Sequence, residues 1–113
     1  MSAPGTPEVD ATTAAHLVSD GTAILLDVRE TDEWAAGHAP GTRHVPPGDL
    51  DPDTIPDDRP VIAVCRTGRR STTASAQLRA AGLDASNLTD GMTAWARAGL
   101  PVRIDDGRDG TVE

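Results

Sequence analysis

Pro60-Val61-Ile62-Ala63-Val64-Cys65-Arg66-Thr67-Gly68-Arg69-Arg70-Ser71 is the stretch on which the fold turns. Its first part is a short apolar run, the pattern of a strand buried on both faces. Its last residues lead into Ser71 to Ala81, where Ala74, Leu78 and Ala81 recur at helical spacing and Gly82 stands as the stop. A strand that passes through a tight loop into a helix is half of a parallel crossover unit. The one cysteine of the chain stands at that junction, with three arginines in the next five positions.

The same alternation extends outward in both directions. Upstream, Asp10 is placed to cap a helix with Ala14, Leu17 and Val18 on one face and Gly21 past its end. Ala23 to Val28 is a second buried-strand run. Thr31 is expected to cap the next helix, with Asp32 and Glu33 in its first turn, Trp34 inward and Gly37 as its stop. His38 to Asp58 is rich in Gly, Pro and Asp around a brief His44-Val45 strand, so it reads as loops. Downstream, Asn87-Leu88 ends a short polar strand, and Asp90-Gly91 opens a last helix with Met92, Trp95 and Ala96 inward and Gly99 as its stop. Alternating strands and helices predict an α/β fold with a largely parallel sheet covered on both faces. Ligands of such sheets bind outside the carboxyl ends of the strands, where Cys65 is expected to lie.

Composition sets the bounds. A chain of 113 residues has room for one domain. With 20 Leu, Ile and Val, no Phe or Tyr, and net charge -8, it lies near the boundary with disorder. The grouping of those apolar residues into runs and stripes predicts a folded domain of modest stability. Ten Arg and no Lys stand against fourteen Asp and four Glu, which argues against nucleic acid or an anionic membrane as partner of the whole chain. Arg66, Arg69 and Arg70 are a positive island in this acidic background. A lone cysteine forms no internal disulfide, metal cluster or C-x-x-C pair, so neither metal nor cofactor is expected. Residues 1–7 read as a flexible leader without signal-peptide character, 8–104 as the domain, and 105–113 as a loose acidic tail. No run reaches the ~18 apolar residues of a membrane span, and the expected location is the cytoplasm.

Between Cys65 and Ser71 the backbone must turn from strand to helix, so its N–H groups lack ladder partners and can converge on one point. Gly68 permits the curvature this needs. Such donors, with the positive end of the following helix, favour a thiolate and any anion that meets it. Cys65 is therefore read as an ionised nucleophile, against the alternative of a small buried hydrophobe at a strand end. His16, His38 and His44 offer no evident general base near the loop. A reaction that starts from a thiolate needs none, which favours group transfer to sulfur over hydrolysis.

These residues resemble the rhodanese-like domain family, the single-domain sulfurtransferases. Leu26-Asp27-Val28-Arg29-Glu30, Glu33-Trp34, Gly37-His38-Ala39-Pro40-Gly41 and Val45-Pro46 are similar to its amino-terminal signature. Cys65 to Ser71 is similar to its active-site loop, and Asp90-Gly91-Met92, Ala94-Trp95 and Ala98 to Val102 to its carboxyl-terminal signature. The resemblance spans nearly all of residues 8–104. It implies a three-layer α/β/α fold with a mainly parallel five-stranded sheet. It also implies a sulfane sulfur carried on Cys65 from thiosulfate or a persulfide to a thiol or cyanide. Arg66, Thr67, Gly68, Arg69, Arg70 and Ser71 would bind the anionic donor and the outer sulfur. Asp27, Arg29, Glu33 and His38 are read as framework, and Trp34 and Trp95 as core anchors. Ala39 replaces the usual Ile or Val, and Asp90 replaces the first Gly of a Gly-Gly pair, read as a helix cap.

Two other readings compete. A non-enzymatic sulfur carrier or partner-binding module would keep Cys65 but act on another protein, in a sulfur relay. A phosphatase or arsenate reductase of related fold would need its arginine at the sixth position after the cysteine. Here Arg70 is the fifth and Ser71 the sixth, so the loop suits a sulfur atom better than a phosphate.

Overall fold

The computed structural model describes residues 7–112. Five short strands, β1 (Glu8–Val9), β2 (Ile24–Asp27), β3 (Arg43–His44), β4 (Val61–Val64) and β5 (Ala85–Leu88), form one sheet in the order β1-β5-β4-β2-β3. Every pairing is parallel. Between them run α1 (Ala11–Ser19), α2 (Thr31–Ala36), α3 (Arg69–Ala80) and α4 (Gly91–Arg97). No helix among the described residues is long and apolar enough to cross a membrane.

Alternation along the strands sorts the core into two. Leu25, Ile62, Val64 and Leu88 face α1 and α4, where Ala14, Met92 and Trp95 meet them. Leu26, Val61, Ala63 and Cys65 point to the other face, against Ala74 and Leu78 of α3. Cys65 is thus placed by period two: continuing the strand by one residue beyond Val64 turns its side chain toward α3. The helix comes close because its inner positions are small. Ser71, Ala74 and Ser75 are all buried there.

The Asp10 side chain caps α1 as expected, accepting from the Thr13 N–H. Other boundaries differ. Glu30, not Thr31, precedes α2 and forms a capping box with Glu33. The third helix begins at Arg69, two residues before the expected Ser71, so Arg69 and Arg70 belong to its first turn. Ala81 and Ala96, expected to face inward, are exposed. Asp90 does not cap α4 with its side chain; it sits in the left-handed region at φ 59.

Trp34 corrects a further expectation. It is half-buried and belongs to neither core cluster. Its ring stacks on His38, with centroids 3.5 Å apart, and on His44 at 4.7 Å. Both imidazoles are held by backbone carbonyls: His38 Nδ1 donates to Trp34 and His44 Nε2 to Arg29. Trp95 is the core anchor expected of it, 4% exposed, with its indole N–H on the Pro101 carbonyl.

The segment expected to be a loose tail folds back. The Gly110 N–H donates to Val102 O, Thr111 N–H to Ala36 O, and Arg103 pairs with Asp109 at 2.7 Å. Val112 rests against the core beneath α1 and α4. Gly37 and Gly110 make the close approach possible, since a Cβ on Gly37 would lie 2.5 Å from the Thr111 carbonyl oxygen. At the other end, residues 1–6 of the expected leader lie outside the described residues, and the Pro7 carbonyl accepts from Asn87 N–H.

Candidate active site

The backbone leaves β4 at Cys65 and enters α3 at Arg69, with Gly68 between them at φ +102. That left-handed turn aims the Gly68 N–H at the cysteine, 3.1 Å from Sγ. The Ser71 hydroxyl approaches the same sulfur at 3.3 Å. Cys65 is 1% exposed, packed between its loop and the core on the α3 face. Burial, the largest single influence on the thiol, pushes its pKa up. The Ser71 hydroxyl and the backbone N–H groups of Ser71, Gly68 and Thr67 more than offset that, and the net shift is downward. Two donors, the Gly68 N–H and the Ser71 hydroxyl, thus face the sulfur, and the leading lowering influences on the thiol are hydrogen bonds.

The loop is also gripped from behind. Met92 N–H donates to the Cys65 carbonyl at 2.8 Å, and Thr93 N–H and Oγ1 both donate to the Arg66 carbonyl at 3.0 Å. This contact requires glycine at 91, where φ is +58 and a Cβ would lie 2.3 Å from Cys65 O and 2.7 Å from Arg66 O. Neither atom can move without moving the loop. Gly91→Ala is expected to cost about 2–4 kcal/mol, combining overpacking with left-handed strain, and to alter the alkylation rate of Cys65. Urea unfolding and iodoacetamide kinetics on the same sample check both halves.

The three arginines separate. Arg66 and Arg69 are exposed, and among the described residues neither side chain forms an ion pair. Arg70 lies across Glu33, Nη1 to Oε1 at 2.6 Å and Nη2 to Oε2 at 2.8 Å, a two-pronged bond between α3 and α2. Chiefly through these bonds the Glu33 carboxyl is drawn down to about 2, and Arg70 is raised. A depressed carboxylate stabilises the fold above its ordinary value and loses that contribution as pH falls through its folded one. Wild type is therefore expected to lose stability relative to Glu33→Gln between about pH 4.5 and about pH 2. Urea midpoints of the two proteins should converge across that window. The effect is modest because Arg70 is 38% exposed and water screens the pair.

Beneath the loop, Asp27 and Arg29 are both fully buried. Arg29 Nε donates to both Asp27 oxygens at 3.0 Å, and Nη2 to Asp27 Oδ2 and the Gly37 carbonyl at 2.7 Å. Asp27 sits beside Val64 in the sheet register, one residue from the cysteine. His38 Nε2 lies 3.4 Å from Asp105. None of Asp27, Arg29, Glu33 or His38 has a hydrogen bond to Cys65 Sγ.

Asn87 escaped the sequence reading. It is 3% exposed on β5 and accepts the Ser71 hydroxyl on Oδ1, while its amide donates to Glu8. The available signal was its polarity inside a strand whose neighbours Ala85 and Leu88 are core residues. Among the described residues no group of His, Cys, Asp and Glu could hold a metal ion.

The pattern of the Rhodanese-like domain matches residues 10–98. The chain is 39% identical over 106 residues to the HTH-type transcriptional regulator Rv0324 of Mycobacterium tuberculosis, covering 87% of this chain and 46% of that protein. It is 36% identical over 104 residues to a sulfurtransferase of Allochromatium vinosum, covering 88% of this chain and 97% of the relative. It thus spans less than half of the first of these relatives and nearly all of the second. The rhodanese-related protein of Thermoplasma volcanium superposes with a TM-score of 0.82 at 24% identity, over 88% of this chain and 99% of its own, which shows a shared fold. The parallel sheet, the cysteine loop at the end of its central strand, and a sequence match that takes in both make this chain a member of the rhodanese-like domain family.

Proposed function

We propose that the chain is a sulfurtransferase, moving a sulfane sulfur from a small anionic donor such as thiosulfate or a persulfide to a thiol or cyanide. The observation that carries this reading is that N–H and O–H donors face Cys65 Sγ and, among the described residues, no basic side chain is bonded to it. A thiolate attacks the outer sulfur of thiosulfate, the new S–S bond forms, and sulfite leaves with the electron pair. Cyanide or a thiolate then attacks that outer sulfur, and Cys65 departs as thiolate. Both steps need donors around a sulfur anion, and neither needs a base. Arg66 and Arg69, exposed at the loop, draw the anionic donor in. Arg70 is held by Glu33, so it does not close a cradle around a phosphate.

A second reading rests on a groove of about 300 Å³ beside the loop, lined by the apolar Val28, Pro47, Leu50 and Ala74 together with Arg69, Arg70, Thr73 and Gln77. Apolar side chains next to positive charge suit an acceptor thiol borne on another protein, in a sulfur relay.

Incubation with thiosulfate is expected to add one sulfur atom to Cys65 in the intact mass, and cyanide then to remove it as thiocyanate. Absence of the adduct with both thiosulfate and glutathione persulfide would overturn the proposal. Transfer to a protein thiol far faster than to cyanide would favour the relay.

A further inference from the structure

Ser71 has one hydroxyl hydrogen and two acceptors within reach, Cys65 Sγ and Asn87 Oδ1. Which of them receives it depends on Asn87. Its Nδ2 lies 3.0 and 3.2 Å from the two oxygens of Glu8, and the Thr89 hydroxyl adds a third bond to that carboxylate. A carboxylate only accepts, so the amide nitrogen must face Glu8 and the carbonyl oxygen must face Ser71. The Ser71 hydrogen is then given to Asn87, and Ser71 Oγ turns a lone pair toward Sγ. That arrangement suits a thiol, which donates S–H to Oγ.

A thiolate reverses the requirement, because it can only accept. The Ser71 hydroxyl must swing to Sγ, which leaves Asn87 Oδ1 facing an oxygen lone pair in a site that is 0% exposed at Ser71 and 3% at Asn87. Turning the Asn87 amide over would cure this, letting Nδ2 donate to Ser71 Oγ. The turn is opposed by Glu8, which would then face Oδ1. Of the other charges near the sulfur, Arg70 of α3 acts on it directly and is paired with Glu33 of α2. On the β5 side Glu8 is the only charge that touches these groups among the described residues.

We propose that Glu8 and Asn87 are positioning residues that govern, through the Ser71 hydroxyl, whether Cys65 is held as thiol or released as thiolate. Glu8 lies 57 positions before the cysteine, on the edge strand β1, and acts on it only through this hydrogen-bond relay. The inference draws its catalytic meaning from the sulfurtransferase reading, yet it is tested on the thiol itself.

The test is the pH profile of iodoacetamide alkylation at Cys65 in four proteins: wild type, Glu8→Gln, Ser71→Ala and the double variant. A glutamine side chain faces either orientation of Asn87 without repulsion, so Glu8→Gln frees the Ser71 hydroxyl. Its profile is expected to shift to lower pH by about half to one unit, a roughly three- to tenfold rise in thiolate below the midpoint. In the Ser71→Ala background the same change is expected to have no effect, because the relay is cut. An equal shift in both backgrounds would reduce Glu8 to a distant field, and no shift in the wild-type background would also overturn the proposal. Should Ser71→Ala fail to fold, the side-chain amide NMR signals of Asn87 in wild type decide the matter. They are expected to titrate together with Cys65, and indifference to Cys65 would refute the relay. Since alkylation needs no sulfur donor, failure here is distinct from failure of sulfur transfer.

Discussion

Cys65→Ala is expected to abolish both the sulfur adduct and thiocyanate formation, with a loss of at least about a thousandfold against wild type. The fold should survive. Alanine removes one buried heavy atom from the α3 face, which costs on the order of 1 kcal/mol, and the backbone bonds that Cys65 makes to Met92 and within the loop remain. Cys65→Ser is the sharper comparison. Its hydroxyl can still accept from Gly68 N–H, so the cradle keeps a partner, but an alkoxide is not formed near neutral pH and an oxygen cannot hold a sulfane sulfur. Loss of activity in both variants, with near-unchanged urea midpoints, assigns the effect to the sulfur atom. Thiocyanate formation that persisted in Cys65→Ala would mean that the chemistry lies elsewhere in the chain.

Asp27→Ala should be the most destabilising single change at the site, by about 3–5 kcal/mol, because it strands the Arg29 charge in a fully buried position. Set against a total of about 5–15 kcal/mol for a domain of this kind, that is enough to unfold a substantial fraction at growth temperature. The geometry explains the severity. Asp27 receives Arg29 side-chain bonds on both oxygens and the Arg29 backbone N–H as well, and among the described residues Nη1 of Arg29 has no partner to fall back on. Replacing both residues, Asp27→Leu with Arg29→Met, should recover much of the loss, since two apolar side chains need no compensation. Urea unfolding of the single and double variants measures this. A loss below about 1 kcal/mol in Asp27→Ala would show that water reaches the pair after all.

Much of the frame was legible because it rests on local pattern. Ala23 to Val28 and Val61 to Val64 are apolar runs that could only be interior strands, and they pair in register at the centre of the sheet. The junction at Cys65 followed from one strand ending where a helix had to begin. What the sequence did not show lies where partners are distant along the chain. Arg70 was read as binding the anionic donor and Glu33 as framework, but that these two pair with each other across 37 residues is visible only in the fold. Trp34 looked like a core residue from its helix face, yet the loop after α2 returns His38 and His44 to its ring. The Asp- and Gly-rich composition of residues 105–113 suggested looseness, but Gly110 and Thr111 dock through backbone bonds to Val102 and Ala36, which composition does not reveal.

By itself, then, the sequence determined the layering, the strand-to-helix turn and the place of the lone cysteine in that turn, because period-two and period-3.6 burial are properties of consecutive residues. Only the tertiary structure decided what surrounds that cysteine. Ser71, Asn87 and Glu8 come together because β1 and β4 flank β5 in a sheet whose strand order departs from chain order. Their hydrogen bonds join residues up to 79 positions apart. Direction and distance of a side-chain bond are set by that closure of the chain, and no spacing along the sequence encodes them.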